Sequence, residues 1–497
     1  MTGVVRQALV GFDWFVLTYF LILNSGYLGL LMLAGIDVAQ TMRRQPFAGH
    51  DDMFANPLTP GVSVIVPAFN EEAGIVQSVL ALLSLRYPLF EVIVVDDGST
   101  DDTFARLQAA FHLVPVEHVI GDEVPTIAPI HSSWTSSAGE PLLVVRKDNA
   151  GRRSEAVNAG INAARMPLLC MVDADSILDE EALLRVVKPF VDDPEHVVAT
   201  GGVIRAANGS SVQRGKILDV QMPSSWLVRI QIVEYLRSFL FGRTGWSKLG
   251  GLLIISGAFG VFRRDVVVSV GGLDLNCIGE DAELVARIHH HLRSKGRRDY
   301  RIAFISEPVC WTEVPSSLAV LGLQRKRWSR GLAQVLRRHR VMIGNPRYGR
   351  IGLIVFPYYL VFELLGPVVE LSGMALVLLG FPLGLLNLRF AILLAVVALG
   401  YGVLLTVASL TLEEFSYHRY PRWRDLGIAM VAAVLENLGY RQMHAWWRLR
   451  GLFAELGGAK AKWGEMPRVG PVAGAERRTG TTAGGDPRTG SVAGVDA

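Results

Sequence analysis

The chain is poor in charge and nearly devoid of cysteine. Only 19% of its 497 residues are Asp, Glu, Lys or Arg, where a soluble protein carries about 25%. Apolar residues fill the gap at 50%, and the mean hydropathy of +0.33 points to membrane segments. Cys170, Cys277 and Cys310 lie far apart with no CxxC pair, which excludes a disulfide framework and a cysteine zinc site. A net charge of +3 is too small to argue for a nucleic acid partner, and the basic residues gather beside apolar stretches, as at a membrane surface. There is no A-x-A cleavage pattern after the apolar run Phe12 to Ile36. That run is too long for a signal peptide and long enough to span a bilayer. Arg43 and Arg44 follow it and only Arg6 precedes it, so the positive-inside rule places the next domain in the cytosol.

Composition divides the chain into an anchor (1–44), a polar linker (45–60), a long soluble stretch (61–350), a second apolar block (351–450) and a tail (451–497). After about 465 the tail is rich in Gly, Ala, Thr and Arg, and disorder is expected there. The soluble stretch opens with β-branched runs at 62–66, 91–95, 142–145 and 168–172, with amphipathic segments at 72–85 and 102–111 between them. This alternation predicts βαβ units and a mainly parallel sheet. The Pro- and Ser-rich segment 121–140 reads as a surface loop. Between Ser224 and Lys248, apolar residues recur at helical spacing with arginines interspersed, the pattern of an interfacial helix or of a helix packed in the core. Pro357, Pro367, Pro382 and Pro421 interrupt the second apolar block. About three to five spans in all are expected, with Phe390 to Leu412 the cleanest of the later ones. Glu363, Glu370 and Glu436 fall in apolar surroundings, at a polar path or at the interface.

The polar motifs fall just after the strands, where open α/β sheets bind ligands. Asp173 and Asp175 lie two apart, on one side of an extended chain, and suit a hard divalent ion, Mg2+ or Mn2+, bridging to a diphosphate. Asp96 and Asp97 offer acceptors for a base or ribose, or else form a turn ahead of a helix cap. Asn149 to Arg153 follows the third strand, and Arg152 and Arg153 could grip phosphate. Glu280 and Asp281 precede a helix; one of them could be a general base, or both could be capping acids. Gln324, Arg327 and Trp328 offer a fixed cation and a flat face for a sugar ring, or begin a basic juxtamembrane helix.

Taken together, Asp96-Asp97-Gly98, Asp173-Ala174-Asp175, Gly279-Glu280-Asp281 and Gln324-x-x-Arg327-Trp328 resemble the motifs of glycosyltransferase family 2. The likeness is to its membrane-bound processive branch, the cellulose, chitin, hyaluronan and poly-N-acetylglucosamine synthases. That resemblance implies a GT-A nucleotide-sugar-binding domain flanked by transmembrane helices. It implies a UDP-sugar donor, a growing polysaccharide acceptor and inverting single displacement. In it, Asp96 and Asp97 would contact uridine and Asp173 and Asp175 the diphosphate or metal. Asp281 would be the base, and Gln324, Arg327 and Trp328 would hold nucleotide and acceptor end. Two departures stand out: Gly279 replaces a common Thr, and Arg152 a common Lys. One N-terminal anchor with a C-terminal cluster, together with the stretch Glu436 to Gln442, is similar to the poly-β-1,6-N-acetylglucosamine synthases. The expectation is a multi-pass plasma-membrane enzyme with its catalytic domain in the cytosol, acting on UDP-N-acetylglucosamine and helping to move its product across the bilayer. An accessory export or regulatory subunit would have to supply any cyclic-dinucleotide control. The rival is a non-processive transferase that adds one sugar to a lipid or polyprenyl acceptor.

Overall fold

The computed structural model describes residues 2–44, 50–213, 216–219, 221–380, 388–417 and 423–458. The tail expected to be disordered after about 465 lies outside these residues.

A ten-stranded mixed sheet forms the centre of the stretch 62–312. Its strands are β1 (Val62–Ala68), β2 (Phe90–Asp97), β3 (Leu113–Val116), β4 (Ile130–Ser136), β5 (Leu142–Lys147), β6 (Leu168–Val172), β7 (Ile177–Leu178), β8 (Val197–Ala206), β11 (Phe259–Arg263) and β12 (Arg301–Thr312). A small hairpin, β9 (Ser211–Gln213) with β10 (Lys216–Asp219), stands apart. The spatial order is β3-β4-β5-β2-β1-β6-β11-β8-β12-β7. The run β5-β2-β1-β6 is parallel, and β11 enters antiparallel between β6 and β8. β1, β2, β5 and β6 are near-continuous Val, Ile and Leu because helices cover both faces, and Val62, Val64, Ile65, Val92, Ile93, Val94, Val144 and Leu169 are buried. Parallel register points all four carboxyl ends the same way, so residues 69–72, 96–101, 148–153 and 173–175 converge on one edge.

The segment 121–140 is not wholly a loop. Its second half is β4, an antiparallel strand added to β5, with Trp134 packed on Phe104. Cross-strand packing overrides its turn-rich composition there. The 45–60 stretch likewise holds a short helix, His50–Ala55.

The N-terminal helix, Thr2–Arg44, buries one stripe: Val16, Tyr19, Phe20, Leu23, Leu30, Ala34 and Val38. Trp14, Phe15, Ile22, Met32 and Ile36 stay exposed on it. Exposed apolar residues of this size in soluble surroundings would be an aggregation hazard; facing lipid they are at home. Among the described residues two helices, Val10–Arg43 and Ile351–Gly380, are long and apolar enough to cross a membrane. The second widens into π turns at Ile351–Val355 and Tyr359–Leu364, around Pro357 and ahead of Pro367, where missing N–H donors loosen the ladder. The segment Phe390 to Leu412 lies in a third helical run, 388–417.

The helical run 226–248 lies between the sheet and the apolar helices. Its Val228, Val233, Phe239 and Leu240 are buried, as a helix packed in the core requires. Gly245 lies against the N-terminal helix, where a Cβ would come within 2.5 Å of the Leu30 carbonyl oxygen. The last helix, Arg441–Leu456, leaves the apolar block and lies along the helix Leu318–Arg338. Ser329 Oγ donates to the Arg448 carbonyl at 2.8 Å, and Glu455 accepts from Arg330 at 3.0 Å and Gln334 at 2.9 Å. The expected boundary at 450 falls inside this helix, whose Glu455 is bonded to the helix Leu318–Arg338.

Candidate active site

The first two strand ends are laced together. Asn70, in the left-handed region at φ 55°, donates its N–H to Ser99 Oγ at 3.1 Å and accepts from the Thr100 N–H at 2.8 Å. The Glu71 N–H reaches Thr103 Oγ1 and the Glu72 N–H reaches Asp101, at 2.9 and 3.2 Å. Gly98, at φ 68°, lets the β2 turn press on the Asn149 loop, where a Cβ would stand 2.7 Å from the Asn149 nitrogen. Asp96 and Asp97 face different partners. Asp96 is buried; it accepts from the Ser99 N–H at 3.1 Å and from Arg146 Nε at 3.3 Å. Asp97 lines the open cavity and takes a hydrogen bond of 2.5 Å from Lys147 Nζ. Lys147 is wholly buried and also pairs with the buried Glu155. Burial pushes the Asp97 carboxyl above its ordinary range, and the Lys147 ammonium opposes that shift.

The second group forms around Arg153 at the start of the helix Arg153–Ala163. Its Nε donates to Asp173 at 2.7 Å, its Nη2 to the Gly257 carbonyl at 2.7 Å and its Nη1 to Glu280 at 3.4 Å. The Gly257 N–H in turn donates to Asp281 Oδ2 at 3.1 Å. One arginine and one glycine peptide therefore tie the acid after β6 to the acids at the N-terminus of the helix Glu280–Ser294. Burial opposes its charge, but Asp173 and Glu280 together hold the Arg153 guanidinium above its ordinary value. Burial pushes the Glu280 carboxyl up to about 7, with Arg153 opposing and Asp281 adding to the shift. Burial pulls the Arg327 guanidinium down, against the charges of Glu280, Asp173 and Asp281.

Gly279 explains one departure from the family pattern. A Cβ on Gly331 would lie 2.9 Å from Gly279 Cα, so these two backbones touch. The helix carrying Gln324, Arg327 and Trp328 thus lies directly on the turn that carries Glu280 and Asp281. Arg325 is held in a bidentate pair with Glu234, 2.8 Å on each side, and stacks 4.5 Å from the Trp328 ring. The Trp328 side chain stays 43% exposed on the cavity wall.

A model of glycosyl transferase family 2 matches residues 63–271, and one of glycosyl transferase family group 2 matches residues 168–407. Between them the two models span residues 63–407, the stretch over which the chain resembles glycosyltransferase family 2. The chain is similar to the poly-beta-1,6-N-acetyl-D-glucosamine synthase of Staphylococcus aureus, at 26% identity over 302 residues. The match covers 61% of this chain and 60% of that relative. The synthase of Staphylococcus epidermidis is 27% identical over 278 residues, 56% of each chain. Among solved structures, the mannosyltransferase PcManGT from Pyrobaculum calidifontis, in complex with GDP-Man and Mn2+, aligns at 19% identity and a TM-score of 0.49. It covers 86% of this chain and 99% of that one.

A single cavity of about 1660 Å3 takes in nearly the whole constellation. Asp97, Arg152, Asp173, Asp175, Glu280, Asp281, Gln324, Arg327 and Trp328 all line it; Asp96 does not. Arg152 turns aside, donating to the Leu275 carbonyl at 2.7 Å and Asn276 Oδ1 at 3.0 Å, while Arg153 takes the place beside Asp173. The sequence motif covered both arginines, but only backbone direction at the helix start separates them: Arg152 is extended and Arg153 is the first helical residue. Lys147, Glu155 and Gly257 carry no sequence signal of their own; pairing of Asp97 with Lys147 across β2 and β5 is what brings the lysine in. The same cavity continues among the apolar helices, past Phe20, Tyr27, Phe362 and Leu405. There the three apolar-block acids have partners. Glu363 accepts from Tyr27 at 2.9 Å and pairs with Arg448 at 3.1 Å; Glu370 pairs with Arg441 at 2.7 Å; Glu436 with Arg237 at 2.8 Å.

Proposed function

We propose that this protein is an inverting, processive glycosyltransferase that extends a β-linked polysaccharide from UDP-N-acetylglucosamine on the cytosolic face and passes the product among its membrane helices. One observation carries the reading: the acids at the strand ends, Trp328 and the paired acids of the membrane helices share one continuous cavity. The likeness to the staphylococcal synthases supports the donor and the polymer.

In this mechanism Asp97 receives the nucleoside, held in place by Lys147. The diphosphate lies by Asp173 and Asp175, with Arg153 and Arg327 as cations beside it. A divalent cation fits this donor set. Both carboxylates are hard oxygen donors on the cavity wall. No group of three or more acids, His or Cys gathers among the described residues, so diphosphate and water oxygens would complete the shell, as magnesium prefers. When bound, it would neutralise charge developing on the leaving diphosphate. Asp281, steadied by the Gly257 N–H, takes the proton from the acceptor hydroxyl as that oxygen attacks the anomeric carbon. The bond from that carbon to the diphosphate breaks on the opposite face, UDP departs, and an α-linked donor yields a β-linked product. Trp328 supplies the flat face on which the acceptor sugar rests.

A second reading, transfer of one sugar to a lipid or polyprenyl acceptor, draws on the apolar wall of Phe20, Leu23, Leu31 and Phe362 in the same cavity. Protein in lipid nanodiscs, supplied with magnesium or manganese and with UDP-N-acetylglucosamine, UDP-glucose or UDP-glucuronate separately, decides between them. A high-molecular-weight product from UDP-N-acetylglucosamine is expected. Short products formed only with added lipid acceptor would establish the second reading, and polymer from another donor would correct the sugar.

A further inference from the structure

Arg243 stands out among the cations of the cavity wall. Arg152, Arg153, Arg237, Arg325, Arg441 and Arg448 each give hydrogen bonds or ion pairs to a carbonyl or a carboxylate. Arg243 lines the same cavity with no hydrogen-bond or carboxylate partner among the described residues, and its Nη1 is buried. A buried guanidinium nitrogen with unmet donors is costly, so the Nη1 of this half-buried arginine calls for a ligand. Among the described residues the ring beside it is Phe239, whose face lies 3.8 Å from the guanidinium carbon.

The local structure holds it there. Arg243 closes the π-helical stretch Leu236–Arg243 of the helical run 226–248, and wide turns of this kind gather at functional sites. Two residues later Gly245 abuts the Leu30 backbone with no room for a Cβ, so the helix cannot roll about its axis without a clash. Phe239, one turn earlier, fixes the plane of the guanidinium.

Its neighbours identify the ligand. Burial is the main influence on Arg243, and Tyr359, Asp281 and Tyr235 are the groups whose charges act on it. Asp173 is not among them, whereas it is among those acting on Arg327. Arg327 is therefore within reach of the Asp173 and Asp281 charges, while Arg243, within reach of Asp281, sits on the helical run that packs between the sheet and the apolar helices. Because the Asp281 charge already acts on Arg243, an anion is not required to complete it. An oxygen-rich neutral ligand serves.

We infer that Arg243 is the acceptor-side anchor of the reaction: its guanidinium donates to oxygens of the terminal sugar of the acceptor glycan and so holds the attacking hydroxyl at Asp281. This rests on the polymerase reading above. It adds a contact that none of the sequence motifs includes.

The test uses the full chain in nanodiscs and a β-1,6-linked N-acetylglucosamine tetrasaccharide as probe, with binding measured on UDP-loaded protein beside UDP affinity and turnover of UDP-N-acetylglucosamine. Arg243→Gln is expected to weaken tetrasaccharide binding by about tenfold or more, the worth of a charged hydrogen bond, with UDP affinity held within about twofold. Arg243→Lys keeps the charge but not the fork and should fall between; unchanged UDP affinity in both variants shows that the fold persists. Tetrasaccharide affinity equal to wild type in Arg243→Gln overturns the inference alone. A matching fall in UDP affinity in both variants also overturns it, by placing Arg243 on the donor. If the wild type neither binds the tetrasaccharide nor turns over UDP-N-acetylglucosamine, the function proposed above fails and the inference fails with it.

Discussion

Gly331→Ala tests whether the contact between the helix Leu318–Arg338 and the base-bearing turn sets catalytic geometry. The new methyl would stand 2.9 Å from both Gly279 Cα and Gly279 N. An ordinary carbon contact needs about 3.4 Å or more, so the two backbones must part by about half an ångström. Neither can bend a side chain away, because both atoms are main chain. Overpacking of this kind costs about 1–3 kcal/mol. A misplacement of 1 Å costs on the order of a hundredfold in rate, so half that shift predicts about a tenfold fall in kcat. Asp97 lies away from the contact but Arg327 rides on the displaced helix, so UDP affinity should fall too, by less than kcat. Steady-state UDP release and UDP titration in nanodiscs give both numbers. Gly74→Ala, where nothing lies within 4 Å of the added carbon, is the control. Wild-type kcat in Gly331→Ala would refute the claim that this contact registers Trp328 against Asp281.

Asp281→Asn should abolish transfer yet leave UDP binding largely intact, as removal of a general base does; full turnover would remove Asp281 from that role. Asp173→Ala or Asp175→Ala should weaken metal-dependent donor binding, read as UDP affinity with and without chelator, and equal affinity with full turnover would contradict the site. Lys147→Met leaves the buried Asp97 and Glu155 without their cation. A loss of about 3–5 kcal/mol in unfolding free energy is expected, and a loss below about 1 kcal/mol would show that the triad carries no weight. Glu280 sets a pH dependence. Its folded value of about 7 lies above the ordinary 4.5, so between those values the folded state holds more protons. Its contribution to stability is full below about 4.5, falls as pH rises and is gone above about 7. The difference in melting temperature between wild type and Glu280→Gln should change across that window and level off above it; a flat difference would contradict the shift.

Much of the fold was legible because parallel strands buried on both faces must be apolar runs, and β1, β2, β5 and β6 are such runs. β4 was not, because Ser132, Ser133 and Ser136 look like a turn until β5 supplies the partner. The carboxylate motifs were legible because chemistry demands their spacing. What spacing does not carry is direction. Arg152 and Arg153 are adjacent and equally basic, and only the start of the helix turns the second toward Asp173. Nor does it carry distant pairing. The place of Gly279 makes sense only beside Gly331, and Glu363, Glu370 and Glu436 read as lone acids until Arg448, Arg441 and Arg237 arrive from other helices.

Those three pairs have a consequence for anything that moves past them. Each sets one cation against one anion on the wall, so the six residues add no net charge to the cavity. A hydroxyl-rich chain can exchange one pair for the next, giving up a donor and an acceptor as it gains another. No step strands a bare charge in an apolar surround, and no single station binds the chain deeply. On the proposed reading such a wall would act as a bearing with low friction for a neutral chain, and a carboxylate-bearing chain would lose that smoothness by prying each arginine from its glutamate.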